Sequence, residues 1–229
     1  MSLWPRLLLN TLTCAALCLS FAVAAQADTF TLINTDSGWY DGSGFHNSTN
    51  TNYIAAENDG PRYRNFFVFD LSGLSGTVTS ASIQLYTHTV TGTGTYTLYD
   101  VSTGVPMLVA GGIGLTSIHN DLGTGNAFGS IGLTTSNAQS LFTLTLNAAA
   151  IADIQSRLGG QFAIGGRFDA PSNYVMGFSN FDPRNQLTIE TGTTVPTAVP
   201  EPATMLLLGT GLAGVAAKVR RRRRSRREG

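Results

Sequence analysis

Arg64-Asn-Phe-Phe-Val-Phe-Asp-Leu-Ser72 is the stretch on which the fold turns. Phe66 to Phe69 are apolar without a break, held between Arg64 and Asp70. A continuous run of this kind suits a strand covered on both faces. Around it the pattern changes to alternation. Phe142-Thr-Leu144-Thr-Leu146 puts Phe and Leu on one face and Thr on the other, and Ala81-Ser-Ile83-Gln-Leu85-Tyr86 does likewise. Phe30-Thr-Leu32-Ile33, Tyr96-Thr-Leu98-Tyr-Asp100 and Leu187-Thr-Ile189 are further strand candidates. Gly, Ser, Thr and Asn clusters separate them: SGLSGT, VTGTGT, AGGIG and DLGTGNAFGS. Many short Thr-rich strands with glycine turns predict an all-β, antiparallel sandwich.

One helix interrupts the pattern. Asn147 is placed to N-cap the run Ala148 to Leu158; Ile151, Ile154 and Leu158 share a face, and Gly159 can end it. Packed over a sheet edge, about three turns of helix would also shield that edge.

Charge divides the 229 residues into unequal parts. Eight of the 14 basic residues lie after position 217. From Asp28 to Val199 there are five arginines and no lysine against twelve acidic residues, a net charge of −7. Such a body lacks the basic surface that nucleic-acid binding requires. About 172 residues are enough for one domain with a core. Both cysteines, Cys14 and Cys18, fall in the first twenty residues, so the body holds no thiol for disulfides, metal or nucleophilic chemistry.

The two ends read as addresses. Arg6, an apolar stretch to about Val23 and the Ala25-Gln26-Ala27 site form a secretory signal over residues 1–27 for the Sec export machinery, with cleavage before Asp28. After a sandwich domain over 28–192 and a linker over 193–199 comes a second signal over 200–227. It begins with Pro200-Glu201-Pro202. Ala203 to Val219 follow, 17 residues that are apolar but for two threonines and Lys218. As a helix they would cover roughly 25 Å, and Lys218 can snorkel to extend the span across the inner membrane. Arg220, Arg221, Arg222, Arg223 and Arg224 then hold the C-terminus inside and the body outside. The G-x-G-x-x-G match at Gly209 to Gly214 lies within this span, follows no strand and opens no βαβ unit, so it is not a dinucleotide loop.

This tripartite tail resembles the PEP-CTERM sorting signal. The resemblance implies recognition by an exosortase, cleavage near the Pro-Glu-Pro, and an exopolysaccharide-producing Gram-negative host whose biofilm matrix or surface receives the protein. The body carries a second resemblance. Arg64 to Ser72, Ala81 to Tyr86, Tyr99-Asp-Val-Ser-Thr103, Asn120-Asp-Leu-Gly-Thr-Gly125, Leu146-Asn-Ala148 and Phe162-Ala-Ile-Gly-Gly166 follow an order similar to jelly-roll modules of the carbohydrate-binding type. These motifs are largely structural and imply fold more than function.

Chemistry is sparse. The chain has no G-x-S-x-G elbow, P-loop or H-E-x-x-H. His46, His88 and His119 are spread out, and His88 falls on the solvent side of its strand. Arg64 and Asp70 share strand parity about 20 Å apart, so each is expected to find its own structural partner across the sandwich. Asp36, Asp41, Asn58, Asp59, Asn120 and Asp121 sit in loops that suit a structural Ca²⁺ or, equally, Asx turns. No other cofactor is expected. Trp39, Tyr40, Phe45 and Tyr53, and then Tyr174, Phe178 and Phe181, fall in Asn/Ser/Gly-rich stretches. Of these, Trp39, Tyr40, Tyr174 and Phe178 are the candidate sugar contacts. The expectation is a non-catalytic, exported protein associated with exopolysaccharide. A polysaccharide-acting hydrolase, which would need two positioned carboxylates, and a purely adhesive surface protein are the alternatives.

Overall fold

A computed structural model describes residues 27–57, 62–178 and 185–192, together with 209–214, 218 and 220 of the tail. Residues 26–193 form one compact unit. Its strands are β1 (Ala27–Ile33), β2 (Asp36–Asp41), β3 (Tyr53–Ala56), β4 (Tyr63–Asp70), β5 (Thr77–Thr87), β6 (Thr89–Val90), β7 (Gly94–Asp100), β8 (Ala127–Leu133), β9 (Ser140–Thr145), β10 (Gln161–Asp169), β11 (Tyr174–Gly177) and β12 (Gln186–Gly192). Three short helices accompany them: α1 (Val105–Ala110), α2 (Thr116–Asp121) and α3 (Ala148–Ser156).

Pairing is nested. β1 pairs with β12, β4 with β10, β5 with β9 and β7 with β8, all antiparallel. The chain thus behaves as one long hairpin whose successive pairs wrap into alternate layers. The pairs β1–β12 and β5–β9 make a four-stranded sheet in the order β1-β12-β5-β9. The other two lie in an eight-stranded sheet, β6-β11-β3-β4-β10-β7-β8, to which β2 adds along β4. This is jelly-roll winding.

The opening stretch lies in the middle of the larger sheet, and its alternation is resolved by what covers each face. Phe67 and Phe69 point between the sheets, into a core shared with Ile83, Leu85, Phe142, Leu187 and Ile189. Phe66 and Val68 point the other way, into a second cluster with Tyr40, Ala163, Val105, Leu108, Ile118 and Leu122. The run is apolar throughout because both faces are buried.

The predicted helix forms as α3. The Asn147 side chain accepts from the Ala149 and Ala150 amides, Ile154 is fully buried, and Gly159 has a left-handed φ of +80°. Gln155 from this helix accepts from the Val78 amide and donates to the Gly76 carbonyl, tying helix to strand. The reading of a single helix needs correction: α1 and α2, each of six residues, cross the outer face of the larger sheet. Neither has a side-chain N-cap, and Pro106 in the first turn of α1 is the one start signal their sequence carries. DLGTGNAFGS is likewise more than a separator, since its second half opens β8.

Among the described residues no helix is long and apolar enough to cross a membrane. The span expected at 203–219 lies mostly outside the described residues; of those described within it, Gly209 to Gly214 are helical and exposed.

Candidate functional site

The outer face of the larger sheet brings together most of the unusual polar groups. It is built from β2, β4 and β10, and is covered by the segment that carries α1 and α2. Gly165 on β10 makes the close cover possible, because a Cβ there would stand 2.5 Å from the Leu122 carbonyl oxygen. Tyr40 on β2 is fully buried under this segment, and its hydroxyl donates to the Leu108 carbonyl at 2.7 Å. Burial pushes its phenol up to about 12. Tyr40 is therefore withdrawn as a sugar contact: β-alternation turns it inward from its neighbour Trp39. Tyr53 is buried too, its hydroxyl donating to the Tyr86 carbonyl.

Two histidines are fixed in the same cover. His46 pairs its backbone with Gly112 and packs its ring 4.8 Å from Tyr40 and 5.3 Å from Phe66. Burial lowers its pKa, opposed by the Trp39 backbone and by Asp36. His119 on α2 is lowered first by burial and then by the Arg64 charge. Their burial was not legible in the sequence. His88, by contrast, is exposed as expected, with its ring 4.7 Å from Phe178.

Arg64 is nearly buried. Its Nη1 donates to the His119 and Asn120 carbonyls at 3.0 and 2.9 Å, at the end of α2. Its Nη2 stands 3.7 Å from Glu57 Oε1. Its partners thus lie on the outer side of its own sheet, not across the sandwich, which corrects the expectation. Asp70, fully exposed, accepts from the Ser72 amide and closes its own turn. Glu57 gathers two more arginines: Arg62 Nε at 3.5 Å and Arg167 Nε at 3.3 Å. Arg167 also donates to Asp169 at 2.7 Å. The Glu57 contacts are ion pairs by distance but poorly angled, and Glu57 Oε1, Arg64 Nε and Arg167 Nε have no hydrogen-bond partner among the described residues. The signal that could have found this cluster is the i, i+2 spacing of Arg62 and Arg64, which share a face if the strand starts early.

On the opposite face of β2 and β4 from the arginines lies a set of aromatic rings. The β2–β4 register sets Trp39 opposite Asn65 and Asp41 opposite Tyr63, making Trp39 and Tyr63 diagonal neighbours. Their rings meet edge to face at 5.2 Å, and Phe45 lies 6.1 Å from Trp39. Asp41 holds the loop that presents Phe45: its Oδ1 accepts from the Ser43 amide and hydroxyl and from the Phe45 amide. Burial pushes the Asp41 carboxyl up, but these hydrogen bonds together hold it low. Trp39 and Tyr63 are half-buried and Phe45 is 39% exposed. The arrangement offers apolar ring surface, and Tyr63 was not singled out from sequence. The second aromatic stretch gives a smaller patch, with Tyr174 and Phe178 half-buried. Phe181 lies outside the described residues.

Most of the loop carboxylates serve turns. Asp121 accepts from the amides and hydroxyls of Ser102 and Thr103, and Asp36 accepts from the Ser37 amide. Among the described residues no three of His, Cys, Asp and Glu come together as a metal site. Asn58 and Asp59 lie outside them, as do Ala25, Pro200, Glu201, Pro202 and Arg221 to Arg224. Ala27 opens β1 opposite Gly192, and Arg220 is helical and exposed.

Residues 198–223 match the PEP-CTERM protein-sorting motif. No curated protein matches the chain. Among solved structures it is similar to a carbohydrate-binding module from Cellvibrio mixtus lichenase 5A in complex with cellotriose. That similarity has 12% identity, 71% coverage of this chain, 95% of that one, and a TM-score of 0.28. It is also similar to the N-terminal modules of Clostridium thermocellum endo-1,4-beta-D-xylanase 10B complexed with xylohexaose. There the identity is 12%, the coverage 73% of this chain but only 28% of that one, and the TM-score 0.27. At scores this low the likeness says nothing about ligand or activity.

Proposed function

We propose that this chain is an exported, non-catalytic polysaccharide-binding protein of the cell surface or extracellular matrix. Its N-terminal segment directs Sec export with cleavage between Ala27 and Asp28. Its tail then holds it in the inner membrane, body outside and arginines inside, until an exosortase processes it near Pro200-Glu201-Pro202. The sorting-motif match at 198–223 supports the sorting half of this reading. The polysaccharide half is carried by one observation: Trp39, Phe45 and Tyr63 gather as partly exposed rings on a rigid sheet margin. Rings held this way offer flat apolar surface for sugar C–H groups at little entropic cost. Tyr174 and Phe178 are the second, smaller candidate surface.

The test is retention of the full chain, in non-ionic detergent, on immobilised exopolysaccharide from the producing bacterium. Trp39→Ala should weaken retention roughly tenfold, about 1.4 kcal/mol, while the melting temperature hardly changes. Equal retention of wild type and variant, or none by either, would contradict the reading. For the sorting half, replacing Pro200, Glu201 and Pro202 together by alanine should leave the protein unprocessed in the membrane fraction.

A further inference from the structure

We infer that the polysaccharide taken by the Trp39–Phe45–Tyr63 rings is cationic, a glycan whose hexosamine units carry free ammonium groups, and that Asp41 receives those groups. The inference rests on the polysaccharide reading above and names its ligand class. Asp41 shares the ring face: it stands two residues after Trp39 on β2 and directly opposite Tyr63 on β4. Opposed residues of an antiparallel pair hold their Cβ atoms about 5 Å apart, so the carboxylate is anchored beside Tyr63.

The two oxygens of Asp41 are used unequally. Oδ1 accepts from the Ser43 amide at 2.9 Å, the Ser43 hydroxyl at 2.6 Å and the Phe45 amide at 3.0 Å. Oδ2 has no hydrogen-bond partner among the described residues, and no salt bridge neutralises Asp41 among them. Burial raises the Asp41 pKa, but the three bonds outweigh burial and keep the carboxyl ionised at neutral pH. Nearby cations are committed elsewhere. Arg62, which packs against Gly42, turns its guanidinium to Glu57 on the opposite face of β4. His119 acts on Asp41 through space, but burial opposes its protonation. An unpaired carboxylate oxygen and the π faces of partly exposed rings thus share one surface. Both attract an ammonium group, the oxygen by charge-assisted hydrogen bonding and the rings through their quadrupoles. A glycan carboxylate would be repelled by Asp41 and by the body's net charge of −7. A neutral sugar would have the ring contacts and hydroxyl bonds alone.

The test measures binding to the full chain, in non-ionic detergent, at about pH 6, where an aliphatic amine is charged. The probes are two oligomers of one backbone, glucosamine with free amines and its N-acetylated form, and the producing bacterium's own exopolysaccharide. The free-amine oligomer should bind at least about tenfold more tightly than the acetylated one, and more weakly as salt rises. Asp41→Asn keeps an Oδ1 acceptor for Ser43 and Phe45 but replaces the unpaired oxygen with an amide nitrogen. It should erase most of that preference with the fold intact by near-UV circular dichroism. Glu190→Gln removes the same charge from an exposed position on the smaller sheet and should keep the preference. Equal or tighter binding of the acetylated oligomer, an Asp41→Asn chain that keeps its preference, or a Glu190→Gln chain that loses as much, overturns the inference. If neither oligomer binds but the native exopolysaccharide does, in a Trp39-dependent way, the cationic class falls and the polysaccharide reading stands. If the native polymer also fails, both fall.

Discussion

The two faces of the eight-stranded sheet are built on different chemistry. The inner face, under the four-stranded sheet, is dry: Phe67, Phe69, Leu98, Phe162 and Ile164 meet aliphatic and aromatic side chains, and the Tyr96 hydroxyl donates to Asn65. The outer face buries a smaller apolar cluster under a segment with two short helices, and around it lie an arginine triad and two buried histidines. Strand β4 feeds both faces from adjacent residues. The two faces should therefore respond differently to substitution, residue by residue.

The largest expected break is Phe67→Ala on the inner face. Removing a fully buried ring between the sheets should cost about 3–5 kcal/mol and lower the unfolding midpoint of the whole body in denaturant. A change to the outer face should behave differently. Gly165→Ala drives a methyl into the Leu122 backbone and should cost about 1–3 kcal/mol, with hydrogen exchange rising at residues 105–122 well before the strands. If both changes unfolded the body as one unit, the contrast between the faces would be wrong. Arg64→Met leaves the carbonyls at the end of α2 without their donor and should cost about 1–3 kcal/mol, again read as faster exchange in α2. Tyr40→Phe removes a single hydroxyl bond to Leu108 and should cost about 1 kcal/mol.

The histidines sharpen the contrast through pH. Both His46 and His119 have folded pKa values lowered from 6.5 by burial. The unfolded chain then binds protons that the folded chain resists, so stability is full above about pH 6.5 and falls as pH drops below it. Asp41, Asp70 and Asp121, lowered from 3.8, add a second loss only as pH falls below about 4. The melting temperature should therefore decline between pH 7 and 5, and His46→Gln should flatten that decline. An unchanged melting temperature over this range would show that the outer face is not a dry, histidine-bearing layer.

What could be read in the sequence followed from local chemistry. Asn147, the Ile151–Ile154–Leu158 spacing and Gly159 define α3 because each signal acts within a few residues. Arg64 to Asp70 is recognisable as a two-sided strand because its run is continuous. What covers its outer side was not recognisable, since α1 and α2 lack side-chain caps and owe their form to packing on Phe66, Val68 and Tyr40. The same limit explains Tyr40. Its company of Trp39, Gly38 and Ser37 suggests a polar loop, but β2 pairs with β4 and alternation sends Tyr40 inward. The Glu57 cluster is not legible in the sequence because its partners come from 62, 64 and 167, brought together by the pairing of β4 with β10.

The most direct test of the polysaccharide reading is amide hydrogen exchange on the full chain with and without the bacterium's exopolysaccharide. The account predicts new protection at residues 39–46 and 62–64, with none at Thr29–Ile33 or Leu141–Thr145 on the outer side of the smaller sheet. Protection confined to the smaller sheet, or to residues 174–178, would contradict it.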